Sequence, residues 1–216
     1  MTEPRTAPGV TPGLRERKKR RTRDALLRAA LVLFTTKGYE QTTVDEITEA
    51  VAVSQRTFFR YFANKEEVAF AVQDVVESHF VAALRARPAE ENPFAALRAA
   101  VLDAWDTIEE AIADVVPVDL HMRTYQLIES TPALQSVHLR RSTELEEEIA
   151  RLVAGREGLD VDRDPRPRVA VAAFSGVMRM TGRMWGRGED TSVEAIRRMT
   201  VEYLDHLAPA LASDWR

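Results

Sequence analysis

The sequence predicts an all-α protein, on three observations. From Leu14 onward apolar residues recur at helical spacing, with no alternating strand-like segment of useful length. Helix-start signals recur along the chain: S/T-x-x-E boxes, and polar caps placed before proline. At 45% hydrophobic and 30% charged, the 216 residues can build a core, as one domain or as a small domain joined to a larger one.

Residues 1–13 contain Pro4, Pro8, Gly9, Pro12 and Gly13, have no periodicity and read as a flexible arm. A first helix runs from about Arg15 to Lys37, with Leu26, Ala30, Leu33 and Phe34 on its apolar face and Gly38 as its stop. Thr43-Val44-Asp45-Glu46 has the form of a capping box and starts a short second helix ending near Val51. Ser54 caps a third through Phe62. Asn64 caps a fourth that closes before Pro88, with Glu66 and Glu67 at its positive end. Five more follow, at about 93–113, 117–129, 132–154, 165–187 and 192–212, which makes about nine helices in all.

Composition excludes several classes. Without cysteine there is no disulfide, thiolate metal site or cysteine nucleophile, and the four histidines make no metal-ligand pair at helical spacing. No metal and no cofactor is expected. The longest apolar runs, Ala29–Phe34 and Val169–Phe174, are six residues each. A membrane span needs about 20. The expectation is a cytoplasmic protein with no membrane partner. An enzyme is disfavoured because there is no G-x-S-x-G elbow, H-E-x-x-H helix or phosphate loop.

The net charge of −4 conceals an asymmetry: residues 1–65 carry +6 and the remainder −10. Seven of the nine residues from Arg15 to Arg23 are basic, among them Arg17, Lys18, Lys19, Arg20 and Arg21. Such density points to a polyanion contact. The two short helices joined at Ala52-Val53 form a helix-turn-helix, whose second helix can enter a major groove about 12 Å wide. Ser54, Gln55, Arg56 and Thr57 fill the first turn of that helix. Arg56 can read guanine and Gln55 adenine, or both can contact phosphate. Phe58 and Phe62, at i and i+4, anchor the helix to its core. Phe59, Arg60 and Tyr61 lie toward the exposed side, and Lys65 adds a cation.

Gly38-Tyr39, Thr43 to Ile47, Val53-Ser54, Thr57 to Phe62 and Lys65-Glu66 together resemble the DNA-binding domain of TetR-family transcriptional regulators. The resemblance implies three DNA-binding helices over 14–63 and a helical ligand-binding and dimerisation domain over 64–216. It places Thr43, Gln55, Arg56, Thr57, Tyr61 and Lys65 at the family's DNA-contact positions. Phe59 departs from the tyrosine often found there, so a phosphate hydrogen bond is lost. Residues 123–134 and Leu145 to Glu148 are similar to a subgroup, including the mycofactocin-system regulator, described as binding acyl-CoA-like ligands.

The expected function is therefore that of a repressor. It binds a palindromic double-stranded DNA operator as a homodimer and is released by a small hydrophobic or acyl-CoA-like effector. The family implies a dimer through helices 165–187 and 192–212, where Ala172 and Gly176 permit close approach. Large side chains on facing helices nominate Phe70, Trp105, Met122, Tyr125, Phe174, Met178 and Trp185 for a ligand cavity. Arg123, Arg140, Arg179 and Arg183 are either cations at its mouth or surface ion-pair partners. The Glu144–Glu148 run reads as a solvated face. A DNA-coating structural protein without a ligand switch is the alternative, with a helical enzyme a distant third.

Overall fold

The computed structural model describes residues 14–212, and the predicted arm, 1–13, lies outside them. The described residues form ten α-helices and no strand. They are α1 (Leu14–Lys37), α2 (Val44–Ala50), α3 (Gln55–Phe59), α4 (Lys65–Ala86), α5 (Pro93–Asp106), α6 (Ile108–Ile112), α7 (Val118–Ser130), α8 (Pro132–Arg156), α9 (Arg166–Gly186) and α10 (Val193–Ala212).

The apolar faces of the N-terminal three helices meet in a core that is continuous with that of the remaining helices. Leu26, Leu27, Ala30, Leu31 and Phe34 of α1 are buried, and Leu33 is only half-buried. Ile47 of α2 and Phe58 of α3 complete that core, with Phe62 just beyond. The predicted capping box forms: the Glu46 amide donates to Thr43 Oγ1 at 3.2 Å and the Thr43 amide to Glu46 Oε2 at 2.9 Å. Ser54 and Asn64 cap α3 and α4 as expected. Between α2 and α3 the chain turns through Ala52 at φ 54. This left-handed conformation costs a non-glycine residue about 1–2 kcal/mol. Two backbone bonds hold it, from the Ala52 amide to Glu49 O and from the Val53 amide to Thr48 O, both 3.0 Å.

Two boundaries differ from the sequence expectation. The predicted helix at 93–113 is two helices, broken at Thr107, so the described helices number ten rather than about nine. The Thr107 hydroxyl donates to Asp103 O at 2.7 Å and lies 2.7 Å from His79 Nε2 on α4, a partner that local sequence does not reveal. Regular α3 ends at Phe59, and tighter turns carry the chain to Phe62. The basic run Arg15 to Arg23 forms the first turns of α1, as the expected helix start near Arg15 requires.

α4 is the axis of the remainder, packing on α1, α5, α6, α7 and α8, while α9 packs on α7, α8 and α10. Close approach of α7 and α9 requires glycine. A Cβ on Gly182 would sit 2.6 Å from the Tyr125 hydroxyl, and one on Gly186 2.8 Å from Glu129 Cβ. By contrast Gly176 faces open space.

Two buried titratable groups on α7 set opposing pH dependences. Burial pushes the His121 imidazole down to about 4. Its stabilising contribution is complete above the ordinary histidine value and is lost as pH falls from there toward 4. Burial also pushes the Glu129 carboxyl up to about 7, against the attraction of Arg183. Its contribution is complete below the ordinary carboxylate value and is lost as pH rises through 7. Glu129→Gln is therefore expected to stabilise the fold by ~1–3 kcal/mol at pH 8 and to leave it nearly unchanged at pH 5. Thermal melts at the two pH values check this; equal shifts at both would show that ionisation of Glu129 is not the cause.

Candidate nucleic-acid interface and internal cavity

The helix-turn-helix presents its polar turn outward. Ser54, Gln55 and Arg56 are exposed, Thr57 is half-buried, and Arg56 has no hydrogen bond or ion pair among the described residues. Gln55 is engaged: its amide nitrogen donates to the Asp45 carboxylate on α2, which ties α3 to α2. That bond commits one of the two amide hydrogens and leaves the other hydrogen and the carbonyl oxygen for a base edge. The Ser54 and Thr57 hydroxyls lie 3.1 Å apart, and Thr43 is exposed with its hydroxyl donating to Glu46. Phe59 is 53% exposed, an apolar surface beside the polar turn, whereas Phe58 and Phe62 are buried as predicted.

Arg60 and Tyr61 continue this surface toward α1. The Arg60 guanidinium lies over the Tyr61 ring at 5.0 Å, and a groove joins both residues to Arg15, Lys18 and Lys19. Arg17, Lys18, Lys19, Arg20 and Arg21 are all exposed in the first two turns of α1. Cations here oppose the positive end of the helix dipole, and only Glu16 in that turn complements it. A polyanion would offset this cost.

Lys65 is placed differently from a free surface cation. Its ammonium donates to the carbonyls of Tyr39 at 2.9 Å and Thr42 at 2.7 Å, and lies 4.6 Å from the Tyr39 ring centre. It therefore ties the start of α4 to the α1–α2 turn, with one donor remaining. Lys65→Met is expected to cost roughly 1–2 kcal/mol of stability and to weaken all duplexes alike with little change in salt dependence. A salt slope reduced by ~0.9 would instead assign Lys65 to a phosphate.

A cavity of about 140 Å³ lies between α4, α5, α7, α8 and α9. Trp105, Tyr125, Phe174 and Met178 line it, four of the seven residues expected from sequence. The other three do not. Phe70 is buried beneath His138 and Arg141, Met122 is core on α7, and Trp185 stacks behind Tyr125 at 5.4 Å. Size and apolar character nominate all seven, and only the neighbouring helices decide which of them meet a void. Sequence reasoning missed Phe80 and the polar lining, notably Gln73, Glu77 and Glu146. Glu146 departs from the solvated run predicted for it, because its carboxylate pairs with Arg179 at the cavity wall. Of the other arginines considered for the mouth, Arg123 pairs with Asp119 at 3.0 Å. Burial and Arg179 lower the pKa of His138, whose Nε2 lies 3.5 Å from Glu129.

Among the described residues no group of three His, Asp or Glu is placed to hold a metal, and no helix is long and apolar enough to cross a membrane.

Comparison with known proteins covers both halves. The family model described as "Bacterial regulatory proteins, tetR family" matches residues 26–72, and that of the "MftR C-terminal domain" matches 91–212. The chain is 48% identical over 205 residues to the HTH-type transcriptional regulator TcmR of Streptomyces glaucescens, spanning 95% of this chain and 91% of that protein. It is 28% identical over 164 residues to MftR of Mycobacterium tuberculosis, by name a mycofactocin biosynthesis transcriptional regulator, spanning 76% of this chain and 79% of that one. In fold it is similar to the crystal structure of NalD, the secondary repressor of the MexAB-OprM multidrug efflux pump in Pseudomonas aeruginosa. The TM-score is 0.60 at 20% identity, covering 92% of this chain and 100% of that chain.

Proposed function

Because the chain belongs to the TetR family of bacterial transcriptional regulators, we propose that it is a homodimeric repressor released from a palindromic operator by a small, largely apolar effector. In this reading residues 14–63 bind DNA, and 64–216 hold the effector and the dimer contact. Arg56 reads a base edge. Arg17 to Arg21, Thr43, Ser54, Gln55, Thr57, Phe59, Arg60 and Tyr61 meet the backbone or groove wall, and Lys65 serves that surface by holding the α1–α2 turn in place.

One observation carries the effector half of this reading. α4 is a single 22-residue helix that lines the cavity through Gln73, Val76, Glu77 and Phe80 and grips the α1–α2 turn through Lys65. From Glu77 to Lys65 is about 18 Å along the axis, so a tilt at the cavity displaces the DNA-binding helices. A second link is Arg28, whose guanidinium on α1 donates to Val115 O at 2.7 Å and Asp114 O at 3.4 Å, just before α7. An effector preferring the released arrangement by ~1–3 kcal/mol changes operator affinity about 5- to 150-fold.

The cavity supports the small-molecule half of the sequence expectation over the acyl-CoA half. An apolar cavity of about 150 Å³ accommodates benzene, and two of the four arginines considered for coenzyme phosphates, Arg123 and Arg179, are already paired. For the dimer, Val169, Met180 and Met184 leave an exposed apolar stripe on α9 beside the open Gly176, and Leu211 is exposed on α10.

Titrating the protein on its operator with single-ring aromatics and with C4-to-C16 acyl-CoAs, while following operator release and melting temperature, tests the effector reading. Release by the aromatics supports it. Release by acyl-CoAs alone, strengthening with chain length, would replace it with the acyl-CoA reading. Arg28→Ala is expected to leave effector affinity within twofold while lowering the effector's influence on operator affinity severalfold. Unaltered release would remove Arg28 from the coupling.

A further inference from the structure

Resting on the cavity as effector site, we propose that it selects a lipophilic organic cation whose charge is held by Glu77. Glu77 lines both the cavity and the adjoining groove of Asp74, Arg85, Arg141 and Glu148, so its side chain stands where the two meet. The surrounding charges are matched: Arg141 pairs with Asp74, Arg85 with Glu148 at 3.0 Å, and Arg179 with Glu146. Glu77 is the carboxylate left over. Its partner is the neutral Gln73, and no cation pairs with it among the described residues. Burial raises its pKa, as expected of a carboxyl drawn out of water without a counter-charge.

The walls suit the same class of molecule. Phe80, Trp105, Tyr125 and Phe174 surround the space, with the Phe80 and Phe174 rings stacked at 6.0 Å and an interplanar angle of 8°. Aromatic faces attract organic cations through the ring quadrupole, and more strongly where water is excluded. His138, which also lines the cavity, is held toward its neutral form by burial and by Arg179. An anion entering here would meet Glu77 with each neighbouring arginine already committed.

Phenyltrimethylammonium and tert-butylbenzene share a shape and differ in charge, and so isolate this term. Ligand-observed NMR titration of the full-length protein is expected to show the cation binding at least tenfold more tightly. Glu77→Gln, of nearly the same size, should lower cation affinity at least tenfold and change that of tert-butylbenzene less than twofold, with the melting temperature retained. Binding of tert-butylbenzene but not the cation, or equal cation affinity in Glu77→Gln and wild type, overturns the assignment and leaves the effector cavity standing. Binding of neither overturns both.

Discussion

Replacing Arg17, Lys18, Lys19, Arg20 and Arg21 together with alanine is expected to lower duplex affinity roughly 10²- to 10⁴-fold at low salt. The loss should shrink as salt rises, because each phosphate neutralised contributes about 0.9 to the slope of log affinity against log salt. All five side chains are exposed in the first turns of α1, and a groove joins this end of the helix to Arg60 and Tyr61 at the end of α3. The folded protein should survive the change. Alanine has the highest helix propensity, and removing cations from a helix N-terminus relieves an unfavourable dipole interaction. Loss of affinity with an unchanged melting temperature therefore reports DNA contact. Salt slopes equal to wild type would remove the basic run from the interface.

Trp185→Ala is expected to destabilise the fold by ~3–5 kcal/mol. Trp185 is 2% exposed, stacks on Tyr125 at 5.4 Å, and has no hydrogen-bond partner for its indole nitrogen, so the whole loss is packing. For a chain of this size that is a fall in melting temperature of about 6–20 °C. Trp185→Phe should recover more than half of it by retaining a ring against Tyr125. Chemical denaturation of both variants provides the check. A Trp185→Ala protein of wild-type stability with altered effector binding would return Trp185 to the cavity wall, where sequence had placed it.

That correction shows where sequence stops being legible. Signals confined to a few residues are legible: the Thr43–Glu46 box, the Ser54 and Asn64 caps, the Gly38 stop, and the burial of Phe58 on α3 and of Phe62 just beyond it. Each depends on neighbours within one helical turn. At the break, Thr107 meets His79, 28 residues away, and no glycine or proline announces it. The engagement of Lys65 depends on carbonyls 23 and 26 residues away, so only its charge was visible. In the cavity, helical periodicity gives an inward face but not which inward faces touch. Phe174 and Trp185 lie on the same helix, one lining the void and the other filling the core behind it. Polar lining residues such as Gln73, Glu77 and Glu146 have the spacing of a solvated surface.

Selection of bound duplexes from a random pool by the full-length protein distinguishes a two-fold symmetric DNA-binding regulator from any other arrangement. A homodimeric regulator enriches one palindromic site, its half-sites centred about one helical turn apart, ~34–36 Å, occupied by two protomers per duplex in analytical ultracentrifugation. Recovery of no preferred sequence, with the number of bound protomers rising in proportion to duplex length, would contradict it and identify a DNA-coating protein instead.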